Sequence, residues 1–291
     1  MSDIRIGVIG GSGLYEMEGM EVLEERAIET PFGEPSDALI IGQVGGKKVA
    51  FLPRHGQGHP LLPSELNFRA NIWALKSLGV QWIISVSAVG SLKIDYVPTH
   101  IVVPDQFYDR TRHRKDTFFG DGIVGHVSLA DPVCAKLSGC LAEGARAAGA
   151  TVHEGGTYLC MEGPLFSTRA ESETYRSWGF DIIGMTNLQE AKLAREAEMS
   201  YATLAMVTDY DCWHETEDDV SGHAVMEVVA QNVKMAQEAL RHIIGLVPEQ
   251  EDSPYKGILA HALITDPEKV PAKTYDALEP IIGPYMKKAG A

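Results

Sequence analysis

The sequence predicts an α/β protein built on a mixed, largely parallel central sheet flanked by helices. Short apolar runs, Ile4–Ile9, Gln81–Val86 and Tyr201–Val207, end in turns rich in glycine, hydroxyls or carboxylates. Strands buried on both faces read this way. Amphipathic stretches with helix-start and helix-stop residues separate them. Residues 20–53 add a meander, whose antiparallel neighbours make the sheet mixed.

The 291 residues are 45% hydrophobic and 22% charged, values that support a sizeable core. Residues 1–248 read as one domain. The acidic stretch Glu249–Pro254 then leads into a C-terminal extension of short helices over 249–291. A net charge of −15 excludes a nucleic-acid partner, which needs a basic face. No apolar run reaches the 18 residues of a membrane span, and the chain enters a strand pattern at once, so a cytoplasmic protein is expected. Cys134, Cys140, Cys160 and Cys212 lack the spacing of a zinc site and suit small buried side chains.

Taken in order, Ile4–Ile9 runs into Gly10-Gly11-Ser12-Gly13, a turn whose backbone N–H groups suit a phosphate. The spacing is neither GxGxxG nor a Walker A sequence, and a plain tight turn explains it equally well. The meander reads as Val22–Ile28, Ala38–Val44 and Lys48–Leu52. Arg54 and His55 follow in a glycine-flanked loop. A guanidinium fork beside an imidazole donor suits an anion there, with solvated loop charges as the alternative. Pro63–Gly79 reads as a helix burying Leu66, Ala70, Trp73, Ala74 and Leu78. Strand Gln81–Val86 ends in Ser87-Ala88-Val89-Gly90-Ser91, a third loop of hydroxyls and glycine. Three such loops from distant segments point to one shared phosphate site.

Ile101–Pro104 is a further short strand. Tyr108–Gly125 is polar, and its Arg110, Arg112, His113, Arg114 and Lys115 suit a solvated loop or a subunit interface. His126 stands alone and reads as a buried, satisfied histidine. Asp131 as cap and Pro132 at the first position open a helix that ends near Gly149. After strand Gly155–Met161, Thr168 and Glu171 form a capping box for a helix reaching Trp178. Phe166, between them, is either a core ring or a face on which a base stacks. Asp181–Gly184 leads to Met185 and Thr186, and Leu188–Glu198 is a helix. Ser221 caps a last long helix, Gly222–Gly245, with Val225, Val228 and Val233 in its buried stripe.

Asp209 and Asp211 follow strand Tyr201–Val207. On an extended chain positions i and i+2 point the same way, so both carboxylates face one ligand. The carboxyl end of a strand is where open α/β sheets bind ligands. Such a pair suits a metal, an acid–base pair or the edge of a nitrogen heterocycle; a solvated acidic turn is the alternative.

Seven stretches carry a resemblance: Gly10–Gly13, Pro53–Gly56, Asn71–Leu75, Ser87–Ser91, Glu162–Glu171, Gly184–Thr186 and Thr208–Trp213. In this order they resemble the trimeric purine nucleoside phosphorylases, and within them the methylthioadenosine phosphorylase family. The resemblance covers roughly residues 4–246. It implies a nucleoside phosphorylase-like fold and reversible phosphorolysis of 5′-methylthioadenosine to adenine and 5-methylthioribose 1-phosphate. By that resemblance Ser12, Arg54, His55, Ser87 and Thr186 hold phosphate, with Ala88 beside them. Ala88 and Met185 line the ribose, Phe166 packs on the purine, and Asp209 and Asp211 bind its edge. His126 arrives from a neighbouring protomer near the 5′ substituent. No cofactor and no metal are implied, inorganic phosphate being a co-substrate, and the assembly is a homotrimer or a dimer of trimers.

The residue types fit that chemistry. A purine leaves more readily when N7 is protonated, and a carboxylic acid can do this when a second carboxylate and a dry pocket raise its pKa. The other carboxylate accepts from the N6 amine, whereas an amide would suit a 6-oxopurine. Aspartates therefore favour adenine over the alternative, a purine nucleoside phosphorylase of broader or 6-oxopurine specificity. A hydrolytic nucleosidase would not need Arg54 and His55. At the 5′ end the family positions match Ser167, Gly222, Val225 and Met226. Gly222 is smaller than expected there and leaves room for 5′-deoxyadenosine or adenosine.

Overall fold

The computed structural model describes residues 4–214 and 222–290, with the backbone alone for residues 12, 15, 222–227, 229 and 231. Among these residues eleven strands join in one sheet. They are β1 (Ile6–Gly10), β2 (Met20–Arg26), β3 (Leu39–Val44), β4 (Lys47–Pro53), β5 (Trp82–Ser91) and β6 (Ile101–Val103). Then come β7 (Gln106–Arg110), β8 (Val152–Glu154), β9 (Thr157–Met161), β10 (Ile182–Gly184) and β11 (Ser200–Asp209). The helices are α1 (Phe68–Ser77), α2 (Ala135–Ala147), α3 (Arg169–Ser177), α4 (Asn187–Glu196), α5 (Gly222–Leu246) and α6 (Ala272–Ile282).

The sheet is mixed, as the sequence predicts. β4, β1, β5 and β11 run parallel side by side, while β2, β3 and β4 form the antiparallel meander. Their parallel direction brings the ends of β1, β4, β5 and β11 to one edge. At its last two residues β5 also pairs antiparallel with β10. The reversed direction of β10 carries Met185 and Thr186 back along β5. Helices cover both faces. Ile83 and Tyr201 point into a core shared with α1, α4 and α6, whereas Ile84 and Ala202 point into one shared with α2 and α5. Two buried faces explain why these strands read as continuous apolar runs.

Several boundaries differ from expectation, each for a local reason. α1 begins at Phe68 rather than Pro63, because the Asn67 side chain accepts from Ala70 N and caps it there. α2 begins after Cys134, one turn beyond the Asp131-Pro132 signal. Ser87–Ser91 is strand rather than loop, since Ser87, Ala88 and Val89 stay in register with Ala205, Met206 and Val207. Tyr108 and Arg110 belong to β7, paired with β9. The Thr168/Glu171 capping box forms as predicted, with both reciprocal bonds present. Ser221 lies outside the described residues.

The C-terminal extension packs on its own chain. Leu259, Val270, Leu278, Ile282 and Met286 share one core with Ile4, Ile72 and Leu193. Glu198 accepts from Gly257 N, Leu259 N and Tyr285 Oη at 3.0, 2.9 and 2.7 Å, and Trp73 Nε1 donates to Ala277 O. The helical signal at Ile258–Leu263 is a single 3-10 turn, Ile258–His261, and that at Leu278–Met286 falls mostly in α6. No helix among the described residues is long and apolar enough to cross a membrane.

Candidate active site

Arg54 N donates to Gly10 O at 2.9 Å, which locks the end of β4 to the end of β1. The Arg54 side chain then turns inward and is only 4% exposed. Its Nε donates to Glu190 Oε1 at 2.5 Å, Nη1 to Val86 O at 2.8 Å and Nη2 to Ser85 Oγ at 2.6 Å. A second Nη2 contact reaches Glu190 Oε2 at 3.2 Å. Burial works against the arginine's charge, and Glu190 more than offsets it, raising the pKa. A guanidinium has five N–H groups, and these bonds occupy four. The expected open fork is thus spent largely on the fold, with one Nη1 hydrogen outside these bonds.

Thr186 and Arg54 are joined through the side chain of Asn187, with Ser85 as the bridge to the guanidinium, while the Ser87 hydroxyl lies 3.3 Å from Ala88 O. Asn187 has two hydrogens to give on Nδ2, which lies 2.9–3.0 Å from three acceptors, Ser85 Oγ, Tyr201 Oη and Thr203 Oγ1. Its Oδ1 accepts from Thr186 Oγ1 and Tyr158 Oη, both at 3.1 Å. Tyr201 Oη in turn donates to Glu190 Oε2 at 2.8 Å. The hydroxyls of Ser85, Tyr158, Thr186, Tyr201 and Thr203 and the Arg54 guanidinium therefore hang on one buried network, whose members fix each other's rotamers. Gly184 makes room for it: a Cβ there would lie 1.9 Å from Tyr158 Oη. Replacing Asn187 by Leu is expected to raise the phosphate KM about tenfold or more while the nucleoside KM changes little. Initial rates with each substrate varied in turn check this.

His55 differs from its expected role. Its Nδ1 lies 2.8 Å from Leu61 O, and a carbonyl only accepts, so Nδ1 carries the hydrogen. Burial pushes the imidazole pKa down to about 4, with the Arg54 and His59 charges adding to the effect. At neutral pH Nε2 is therefore an acceptor rather than a donor. It suits the protonated oxygen of hydrogen phosphate.

The aspartate pair is built differently from two positions on one strand. β11 ends at Asp209, after a register shift between Val207 and Asp209, and Asp211 sits in a turn at φ +52°. Asp211 N donates to Asp209 Oδ1 at 2.8 Å, and Thr208 Oγ1 lies 2.7 Å from Oδ2. The turn brings the carboxyls together because Asp209 caps its neighbour's backbone. Gly90 lets this happen, since a Cβ there would lie 2.8 Å from Asp209 Oδ1. Burial raises the pKa of both carboxyls, opposed at Asp209 by Thr208 and at Asp211 by Ser172 and Ser167. For Asp211 the Asp209 charge adds to the rise. Asp211 Oδ2 is buried with no hydrogen bond of good geometry among the described residues.

The loop after β9 faces this pair. Cys212 Sγ donates to Ser167 O at 3.2 Å and Arg169 Nη1 to Cys212 O at 2.6 Å, joining the loop to the aspartate turn. Phe166 is half-exposed rather than core. Gly163 lies against Met185, a Cβ there falling 2.5 Å from Sδ. Ala88 is half-buried on β5 opposite Met206. His126 is exposed rather than buried, and no described hydrogen bond or ring contact joins it to the other site residues. The side chains of Ser12, Gly222, Val225 and Met226 lie outside the described residues. Sequence reasoning missed Glu190 and Asn187. The signal was a polar pair at i and i+3 on α4, Asn187 and Glu190, beside the apolar Ala191, Leu193 and Ala194.

The model of the phosphorylase superfamily matches residues 5–245. Curated relatives include the S-methyl-5′-thioadenosine phosphorylase of Geobacter sulfurreducens, 56% identical over 97% of this chain and 99% of the relative. That of Koribacter versatilis is 55% identical over 99% of both. The chain belongs to the phosphorylase superfamily, among its methylthioadenosine phosphorylases. Solved structures agree: a methylthioadenosine phosphorylase from an antarctic soil metagenomic library superposes with a TM-score of 0.91 at 49% identity, covering 96% of this chain and 98% of that one. The Schistosoma mansoni enzyme, in complex with adenine, gives 0.84 at 37% identity over 89% and 98%. In a phosphorylase, the hydroxyl and arginine network suits the phosphate and the aspartate turn suits the base.

Proposed function

We infer that this protein catalyses the reversible phosphorolysis of 5′-methylthioadenosine, giving adenine and 5-methylthioribose 1-phosphate. The observation that carries the reading is the buried Asp209/Asp211 turn, across Gly90 from an anion-suited network. The acid form of Asp209 donates to purine N7 as the glycosidic bond breaks. Asp211, buried beside the Ser167 and Ser172 hydroxyls, accepts from the N6 amine through Oδ2. Thr186, Ser87, Ser12 and the remaining Arg54 N–H hold phosphate below the ribose, and His55 Nε2 accepts a hydrogen bond from its protonated oxygen. Positioned donors around the developing oxocarbenium then account for much of the rate. Met185 and Ala88 line the ribose, Phe166 covers the base, and no cofactor takes part.

The same reading gives a trimer or dimer of trimers, with His126 reaching the partner's 5′ pocket. Its exposure supports that role. In this reading Ser167, Gly222 and Val225 are the 5′ specificity positions, and 5′-deoxyadenosine or adenosine is accepted as well. Residues 1–248 form the catalytic domain in this reading, with 249–291 as its buttress. None of the four cysteines is in a disulfide, which supports a reducing compartment such as the cytoplasm.

Adenine release from methylthioadenosine should require phosphate and exceed hypoxanthine release from inosine. Phosphate-independent release would sink the phosphorolysis, and a preference for inosine would sink the base assignment. Spectrophotometry with and without phosphate decides both.

A further inference from the structure

Arg114 lies in the basic segment expected to be a solvated loop or an interface, yet its side chain is only 1% exposed. Its guanidinium is shared between two parts of the site. Nη2 donates to Glu162 O at 2.7 Å, and Nε reaches Ser64 Oγ and Glu162 Oε1 at 3.2 and 3.3 Å. On the other side Nη1 donates to Met185 O and to Gln189 Oε1, the latter at 2.9 Å. Glu162 closes the brace by accepting from Arg112 N at 2.6 Å and from Ser64 Oγ. The Phe68 ring lies 5.7 Å from Arg114 Cζ.

We propose that Arg114 is a positioning residue that holds the base loop, residues 162–167, against the Met185–Thr186 strand end. This rests on the reading that the loop covers the base while the strand end serves ribose and phosphate. Phe166 and Met185 belong to segments far apart in sequence, and Gly163 already touches Met185. One planar cation bonded to both backbones makes the two segments move as one, fixing the distance between base and ribose. A lysine at 114 keeps the charge but cannot span both carbonyls, since its donors radiate from one nitrogen.

Arg114→Lys is expected to raise the methylthioadenosine KM and lower kcat, for a combined loss of about ten- to a hundredfold. Arg112→Ala, whose contact with Glu162 runs through the backbone, stays within about twofold of wild type. In the cycle with Phe166→Ala the losses do not multiply, the double variant falling within about twofold of the worse single. Multiplying losses, or unchanged kinetics of folded Arg114→Lys, overturn the proposal. Amide hydrogen exchange supplies a readout that needs no substrate. Exchange should quicken together at residues 162–167 and 185–189 while β1 and β4 keep their protection. Unchanged exchange at either segment overturns the brace. A wild-type enzyme inactive on methylthioadenosine overturns the functional reading instead, and exchange still decides the brace.

Discussion

Replacing Asp209 by Asn is expected to lower kcat/KM for methylthioadenosine about 100- to 10,000-fold, the usual reach of a positioned general acid. The amide still accepts from Asp211 N, so the turn survives and the loss is chemical. The pH profile separates this from misfolding. An acid works while protonated, so wild-type activity is full below the Asp209 pKa and falls as pH rises through it. Burial raises that pKa, so the falling limb sits above the ordinary carboxylate range. In Asp209→Asn the limb disappears. The same raised pKa has a stability consequence of the same sign. The native state binds more protons than the unfolded chain between the two pKa values, so stability declines as pH rises through that window. The Asn variant lacks this share of the decline. Inosine should suffer less from Asp211→Asn than methylthioadenosine does, because an amide can donate to O6. Equal losses on both nucleosides would remove the base-reading role from the pair.

Breaking the Arg54–Glu190 pair has the largest expected effect on stability. Both side chains are buried, at 4% and 1% exposure, and removing one partner of such a pair costs about 3–5 kcal/mol. The two single variants differ in one respect that tests the phosphate role. Glu190→Gln leaves a buried cation, which a bound phosphate dianion can neutralise. Arg54→Met leaves a buried carboxylate, which phosphate makes worse. Added phosphate should therefore shift the denaturant midpoint of Glu190→Gln more than that of wild type, and that of Arg54→Met not at all. Urea unfolding at constant ionic strength measures all three, with sulfate-free buffer as baseline. Equal phosphate shifts in both variants would detach the pair from the anion site.

The same two pairs mark what local sequence can and cannot reveal. The capping box at Thr168 and Glu171 is a contact three residues apart, so spacing reveals it. The meander and the parallel strands follow from apolar runs and turns. Ser87–Ser91 reads as a loop because serine and glycine favour turns, and only pairing with β11 makes it strand. Asp209 and Asp211 were visible as a pair, but the extended geometry was wrong. A turn with a left-handed residue, built over Gly90, is what brings them together. Glu190 and Arg114 were invisible as site residues because their partners lie 136 and 71 residues away. Long-range bonds of this kind leave no period in the sequence. The resemblance named phosphate ligands, whereas the geometry shows that Arg54 serves the fold first.

One core joins both ends of the chain, since Ile4 and Ile9 pack in the same cluster as Leu278 and Met286. Synthesis on the ribosome proceeds from the N-terminus, and domains generally fold as units during it. Here α1 and α4 are complete long before α6 emerges, yet part of their apolar surface has no cover until it does. The shelf that α6 covers on α1 and α4 is therefore an apolar surface open to chaperones until α6 docks.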